Sequence, residues 1–251
     1  MPTKIFVTGA KGKMGQRVVA CAQEDPEIEV AGTLEINESI KDSLRSGMVV
    51  IDFSTHTAIP TFVSAAAELG CPMVIGTTGF TYKERDPILK ASKVIPIVMT
   101  PNMSVGVNLL FTLTQMVASV IHNDFDVEII EKHHRSKKDA PSGTAVHLAE
   151  IIAKVKDQLD LDLVKYGRHG DHVRAQDEIG MHSIRGGDFV GEHIVIFAGN
   201  GETVEITHKA NSRDIFAKGA LKAAKWITSA QPGLYNMQDV LGLQVTQQVF
   251  S

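Results

Sequence analysis

The feature that most constrains this chain is a short strand that runs straight into a glycine-rich turn. Lys4–Thr8 reads as a strand, Gly9-Ala10-Lys11-Gly12-Lys13-Met14-Gly15 follows it, and a helical stretch extends from Gly12 to Glu24. Ala10–Gly15 fits the last two glycines of G-x-G-x-x-G, with the first glycine displaced by one residue to Gly9. Glycines so placed permit a tight turn, close approach of a pyrophosphate to the backbone, and close packing of helix on strand. N–H groups and the dipole at the helix start favour the anion. Such a pattern is weak by itself and gains weight from its place between strand and helix. Glu35 lies twenty residues beyond Gly15, at the end of a second strand over Ile28–Leu34. That is where a carboxylate grips a ribose 2′-hydroxyl. Lys11 and Lys13 would meet a 2′-phosphate as point charges, whereas Glu35 would repel one. These residues predict a site that accepts both NADH and NADPH. The competing reading is a plain βα turn with a surface glutamate and two solvated lysines.

The alternation continues. Met48–Phe53 is an apolar run expected of a strand covered on both faces. Thr57–Leu69 reads as a helix ended by Gly70, Pro72–Ile75 as a strand, Asp86–Ala91 as a helix and Val94–Met99 as a strand. Strands and helices alternating through short links predict an α/β fold with a Rossmann-like, doubly wound parallel sheet. Its crossovers are right-handed. Ligands of such sheets sit beyond the carboxyl ends of the strands. Phe53-Ser54-Thr55, Gly76-Thr77-Thr78-Gly79 and Thr100-Pro101-Asn102-Met103 should therefore line the nicotinamide half of the cofactor and the mouth of the substrate site. Gly, Thr and Asn are also ordinary loop residues.

After Pro101-Asn102 the pattern changes. Val105–Ile121 is one long apolar helix, Phe125–His133 alternates, and Gly143–Lys156 is amphipathic. Glu178–Arg185, Glu192–Ala198 and Thr203–His208 read as strands separated by Gly-Gly-Asp and Gly-Asn-Gly turn chemistry. Asp214–Ser229 is a last clear helix, and no element is assigned from Gln231 onward. The expectation is a dinucleotide-binding domain over 1–104, a second α+β domain with a mixed sheet over 105–212, and a return of 213–251 to the first.

Composition excludes other classes. The chain has 251 residues and a formal charge of −4. A nucleic-acid partner would call for a basic balance or stripe. Two cysteines cannot make a disulfide framework, nothing resembles a secretory leader, and no apolar run suggests a membrane span. A reducing cytoplasm is the expected compartment.

The densest chemistry lies in Glu131-Lys132-His133-His134-Arg135-Ser136-Lys137-Lys138-Asp139-Ala140-Pro141-Ser142-Gly143-Thr144. Two adjacent histidines leave a strand on opposite faces. The segment turns through Pro141 into a helix with Ser142 as its N-cap. Gly143 and Thr144 open that helix, so their N–H groups suit an anion, and glycine lets a ligand approach the backbone. Histidine suits proton transfer near neutral pH, and a lysine near cations can also donate. Together these residues predict a receptor for a small carboxylate compound with a proton donor beside it. No metal is expected, since metal-ligand spacings are absent and adjacent strand histidines point apart. A nucleic-acid patch would interleave aromatics, which this loop lacks. A solvated surface loop is the bland alternative.

The run EKHHRSKKDAPSGTA closely resembles the signature of the dihydrodipicolinate (4-hydroxy-tetrahydrodipicolinate) reductases of lysine biosynthesis. VTGAKGKMG, IDFST, GTTGF, PNMSVGVN, SIRGGDFVGEH and EITHKANSR resemble further family segments in family order, so the likeness spans nearly the whole chain. The resemblance implies reduction of 4-hydroxy-tetrahydrodipicolinate to tetrahydrodipicolinate by NADH or NADPH, with loss of water. It implies His133 as proton donor and acceptor, Lys137 as proton donor, and His134 as a substrate-binding residue. Gly143 and Thr144 would hold a substrate carboxylate, with Ser142 and Thr78 nearby. Gly9, Ala10, Lys11, Gly12, Lys13, Met14, Glu35, Gly76, Thr77, Thr78, Thr100, Pro101, Asn102 and Met103 would contact the cofactor, with Phe53 beside them. It further implies a homotetramer built through the sheets of the second domain. Two departures stand out. The stretch between Glu35 and Gly47 is short, so an element after the second strand is expected to be missing. Ile36 stands where some members carry an arginine for the 2′-phosphate, leaving Lys13 as its partner.

Two other classes stay open on the residues alone. A semialdehyde reductase would want an active-site cysteine, and neither Cys21 nor Cys71 is well placed. A dinucleotide-binding redox sensor would lack the His-His-Arg loop or carry a DNA-binding element. His169, His172, His182 and His193 receive no role from spacing, and Arg185 and Arg213 are not assigned.

Overall fold

The computed structural model describes residues 1–35, 38–121, 124–155 and 163–243. They form two compact units, one of Met1–Val105 together with 213–243 and the other of Gly106–Ser212.

The first unit is built on six strands: β1 (Thr3–Thr8), β2 (Ile28–Leu34), β3 (Val49–Asp52), β4 (Met73–Ile75), β5 (Pro96–Met99) and β11 (Gly233–Tyr235). They lie in the order β11-β5-β4-β3-β1-β2, and every pairing is parallel. Helices connect them: α1 (Lys13–Gln23), α2 (Ile40–Ser43), α3 (Ile59–Glu68) and α4 (Tyr82–Ala91). Later in the chain come α7 (Asp214–Ile227) and α8 (Met237–Leu241). The apolar runs are continuous because successive side chains feed two cores. Ile5, Val7, Val49 and Ile51 join α1 and α7 on one face. Phe6, Val50, Met73 and Ile75 join α3 and α4 on the other. The doubly wound parallel sheet is thus as expected, and it changes direction at β1, between β2 and β3.

The structure corrects several element boundaries. α4 starts at Tyr82, not Asp86, because Thr81 and Glu84 form a capping box in which the Glu84 carboxylate accepts the Thr81 N–H at 2.7 Å. Pro87 then sits inside the helix rather than near its start. The short stretch after β2 does hold an element, the single turn α2, which buries Ile40. Beyond Gln231, β11 adds an edge strand beside β5, and α8 is capped by Asn236 and closed by Gly242 at φ +65°.

α7 lies on α1, held by Arg17 and Asp214 (2.5 and 2.7 Å) and by Lys225 with Asp25 (3.0 Å) and Glu27 (2.8 Å).

The second unit has a five-stranded mixed sheet. Its strands are β6 (Asp126–His133), β7 (Val164–Tyr166), β8 (Ile179–Arg185), β9 (Gly191–Ala198) and β10 (Thr203–Ala210). They lie in the order β10-β9-β6-β8-β7. β6 pairs with β9 antiparallel and with β8 parallel. The three-residue β7 has no counterpart in the sequence reading. Val127, Ile129, Met181, Val195 and Phe197 point to one face, where they pack on α5 (Val105–Ile121) and α6 (Gly143–Val155). Glu128, Ile130, Lys132, Ile184, Ile194 and Ile196 point to the other. No helix among the described residues is long and apolar enough to cross a membrane.

A Cβ added at Gly219 in α7 would collide with the Met103 carbonyl oxygen. Backbone on both sides leaves little room to yield. Gly219→Ala is expected to lower stability by about 1–3 kcal/mol, measured by urea unfolding followed by circular dichroism.

Candidate active site

Each glycine of the first turn is required by a specific approach. Gly9 has φ +70°, and a Cβ there would lie 2.6 Å from the Phe53 carbonyl oxygen. One at Gly12 would lie 3.1 Å from the Gly9 oxygen, and one at Gly15 would collide with it. The loop between β1 and α1 therefore hugs the end of β3. Gly12 caps α1 without any side-chain hydrogen bond, and the first turn carries no acidic residue. Nothing in that turn competes with an anionic ligand for the helix start.

Glu35 reaches over this loop, and its Oε1 accepts the Lys11 N–H at 2.6 Å. Its own N–H donates to Glu38 at 2.8 Å. Ala10, Lys11, Gln16, Thr33, Glu35 and Glu38 border a groove of about 480 Å³. Ile36 lies outside the described residues. A cradle of three bare glycines at a helix start, with a carboxylate at the end of the second strand, fits a dinucleotide.

Sequence reasoning missed the group that organises this edge. Asp52, fully buried at the end of β3, accepts hydroxyls from Thr8 (2.5 Å), Ser54 (2.6 Å) and Thr77 (2.5 Å). Burial pushes its carboxyl up, and the three hydroxyls pull against that. It thereby ties together the ends of β1, β3 and β4. The Phe53 ring fills the space where Gly76 would carry a Cβ. Thr100 Oγ1 donates to the Asn102 carbonyl at 3.2 Å, and Asn102 Oδ1 accepts the Ser104 N–H at 2.9 Å. Met103 is buried in the core of this unit, with its carbonyl packed against Gly219 of α7. Thr78 is exposed and Pro101 is exposed.

The basic loop folds around a second buried carboxylate. Glu131 has no exposed surface. Its Oε2 lies 2.5 Å from His133 Nδ1 and accepts Arg185 Nη1 at 2.8 Å. Its Oε1 accepts Arg185 Nη2 at 2.7 Å and the Ser142 N–H at 3.1 Å. Burial alone would raise the pKa of Glu131, but hydrogen bonds from His133, Arg185 and Ser183 outweigh it and hold the group ionised, far below the usual range. Arg185 stands opposite His133 in the β6–β8 pairing, and His193 stands opposite Glu131 in β6–β9. Neither neighbour is visible without the register, which is why spacing assigned them nothing.

Ser142 caps α6 as expected, its Oγ accepting the Ala145 N–H at 3.3 Å. The same hydroxyl lies 3.0 Å from His193 Nε2. The His133 and His193 rings meet edge to face at 5.2 Å. Above Gly143 a Cβ would meet nothing within 4 Å, so the first turn of α6 is open to a ligand.

The adjacent histidines diverge as expected. His133 turns inward, 8% exposed, while the His134 Nδ1 lies 2.8 Å from Ser136 Oγ. Lys137 Nζ donates to Asp139 at 2.7 Å, and the Asp139 carbonyl accepts Arg185 Nη2 at 2.6 Å. Lys137 thereby holds the Asp139 carboxyl below its usual range. Glu131, His133, Ser142, Arg185 and His193 therefore form one cluster, and Lys137 joins it through Asp139. His182 stands apart, on Glu128 at 2.8 Å.

Residues 3–103 match the family described as dihydrodipicolinate reductase, N-terminus, and residues 106–241 match dihydrodipicolinate reductase, C-terminus. The chain belongs to the dihydrodipicolinate reductase family. A 4-hydroxy-tetrahydrodipicolinate reductase from Akkermansia muciniphila is 48% identical over 240 residues, covering 95% of this chain and 98% of the relative. One from Aquifex aeolicus is 44% identical over 271 residues, covering 97% and 100%. A dihydrodipicolinate reductase from Paenisporosarcina sp. TG-14, solved with dipicolinate, shares the fold with a TM-score of 0.73 at 24% identity, over 95% of this chain and 99% of that one. Dihydrodipicolinate reductases are oxidoreductases of lysine and diaminopimelate biosynthesis. They reduce 4-hydroxy-tetrahydrodipicolinate with a nicotinamide cofactor, and the glycine cradle is where this chain fits one.

The cluster has a pH signature. His193 is 3% exposed, and its pKa is pushed down to about 3, chiefly by burial. His133 adds to this, Glu131 opposes it, and His208 and Lys137 add smaller effects. An unfolded histidine takes up a proton below about pH 6.5, whereas folded His193 stays neutral. Stability therefore falls as pH drops from about 6.5, by up to about 1.4 kcal/mol per pH unit for one proton. The carboxylates of the cluster, whose folded pKa values are lowered, add their own loss only at more acid pH. His193→Gln is expected to flatten the slope between about pH 6 and pH 5 by about 1 kcal/mol per unit, read from urea unfolding at each pH.

Proposed function

We propose that His133 and Lys137 handle the protons of this reduction while the N-terminus of α6 holds the dicarboxylate substrate. The observation that carries the reading is the His133 ring, clamped by Glu131 beside the first turn of α6. Bound NAD(P)H supplies the hydride. The chain supplies everything else. N–H groups of Gly143 and Thr144 meet one carboxylate of the substrate, with Ser142 and His134 as further partners. Lys137 and the helix dipole offset the substrate's charge. A proton from His133 or Lys137 accompanies loss of the hydroxyl as water. The relative solved with dipicolinate supports a planar dicarboxylate as the ligand class.

Gly9, Ala10, Lys11, Gly12, Lys13 and Met14 cradle the pyrophosphate in this reading, and Glu35 takes the ribose. Lys11 and Lys13 offset Glu35 toward a 2′-phosphate, so both NADH and NADPH are accepted. The chain works as a homotetramer in the cytoplasm, with no nucleic-acid or membrane partner. The apolar Ile130, Ile184, Ile194 and Ile196 on the sheet face away from α5 and α6 support assembly through that sheet. Two buried free cysteines support a reducing compartment.

A coupled assay tests the reaction. The substrate is generated enzymatically from pyruvate and aspartate semialdehyde, and oxidation of NADH and of NADPH is followed in parallel. Both are expected to be consumed only when substrate is formed. His133→Ala should lower kcat by about 10²–10⁴-fold, and Lys137→Ala should lower it strongly without shifting Tm. Unchanged turnover in either variant would remove that residue from the mechanism. Light scattering coupled to gel filtration should report four chain masses.

A further inference from the structure

Glu131 makes more contacts than a salt bridge needs. Its two oxygens meet His133 Nδ1, both terminal nitrogens of Arg185, and the N–H of Ser142. Arg185 arrives on β8 directly opposite His133, so its planar fork closes on the carboxylate bidentately. An ionised carboxylate only accepts hydrogen bonds. Every group around Glu131 must therefore point a proton at it, His133 included. That places a proton on Nδ1 and leaves Nε2 as the nitrogen that exchanges with a ligand. Nε2 lies toward Gly191, where a Cβ would come within 3.1 Å, so glycine there keeps its approach clear. Through the Ser142 N–H the same carboxylate fixes the start of α6. Through Arg185 and the Asp139 carbonyl it is linked to the segment that carries Lys137.

We propose that Glu131 is a positioning residue, which sets the tautomer and ring orientation of His133 and holds it in register with the N-terminus of α6, and that Arg185 in turn fixes Glu131. The inference rests on the reading of His133 as a proton-handling group. Glu131 touches neither substrate nor cofactor in this role and acts only through what it holds.

The test uses the full chain and three readouts. Nitrogen-15 NMR of the imidazoles, with the His133 signals assigned by their loss in His133→Ala, reports the tautomer at mildly alkaline pH. The Nδ1–H form is expected in the unmodified protein. Glu131→Gln, whose amide can donate back to Nδ1, should move His133 toward Nε2–H. The loss in kcat is bounded by that of removing His133, so about 10- to 10³-fold is expected, with dinucleotide Kd unchanged. In the His133→Ala background the same substitution should cost clearly less kcat than it does with His133 present, the remainder arising through the start of α6. An unchanged tautomer in Glu131→Gln, or an equal loss of kcat with and without His133, overturns the proposal. Should Glu131→Gln not fold, Arg185→Lys keeps the charge but loses the fork. A partial tautomer shift with lowered kcat supports the proposal there, and wild-type values for both overturn it. If His133→Ala retains full turnover, the catalytic reading of His133 fails, while the NMR result still decides whether Glu131 sets its proton.

Discussion

A carboxylate removed from water must be surrounded by donors or give up its charge. Asp52 and Glu131, each without exposed surface at a strand end, resolve this in opposite ways. Glu131 receives a guanidinium, an imidazole and a backbone N–H, and stays ionised. Asp52 receives three hydroxyls and no cation, and burial pushes its carboxyl up. The first arrangement suits a place where charge has to be constant while protons move nearby. The second suits a knot between strand ends. Each sits where elements that are distant in sequence meet a candidate ligand site, so the geometry of both sites follows from meeting the needs of one side chain.

The nucleotide unit depends equally on what is left out. Without Cβ atoms at Gly9, Gly12 and Gly15, loop, helix and the end of β3 come into direct backbone contact. The helix start then lies at the edge where the sheet reverses its winding, the usual place for a dinucleotide in such folds. Glu35 serves the same loop from β2 by accepting the Lys11 N–H. Its carboxylate has a structural partner before any ribose arrives, which sets its position in advance.

Much of this was legible in the residues. The parallel sheet could be read because strands that feed two cores leave unbroken apolar runs, as in Val49-Val50-Ile51. The loop from Glu131 to Thr144 could be read because cations, histidines and a helix cap are adjacent in sequence. Illegible features depend on register or on short elements. Arg185 and His193 acquire meaning only when β6 is paired with β8 and β9. Asp52 looks like the last residue of an apolar strand until Thr8 and Thr77 are brought to it. β7 and β11 are three residues each and lie mostly outside the core, unlike the equally short β4, whose three apolar residues are all buried. The start of α4 was legible in Thr81 and Glu84, and Pro87 obscured it.

The nucleotide unit is discontinuous in the chain. α7 contributes Ala217, Ala220, Leu221, Ala223, Ala224 and Ile227 to the same core as Ile5, Val7 and Ile51. β11 supplies the edge beside β5. During synthesis, five strands of that sheet leave the ribosome with one face covered by α1 alone, and they wait through the whole of the second unit for α7. The second unit has no such debt, since its sheet and both its helices are contiguous from Gly106 to Ser212. The unit made first is thus finished last. A nascent or truncated chain that stops before α7 carries the Glu131–His133–Arg185 cluster in full, and the glycine turn on a sheet that lacks α7 on one face.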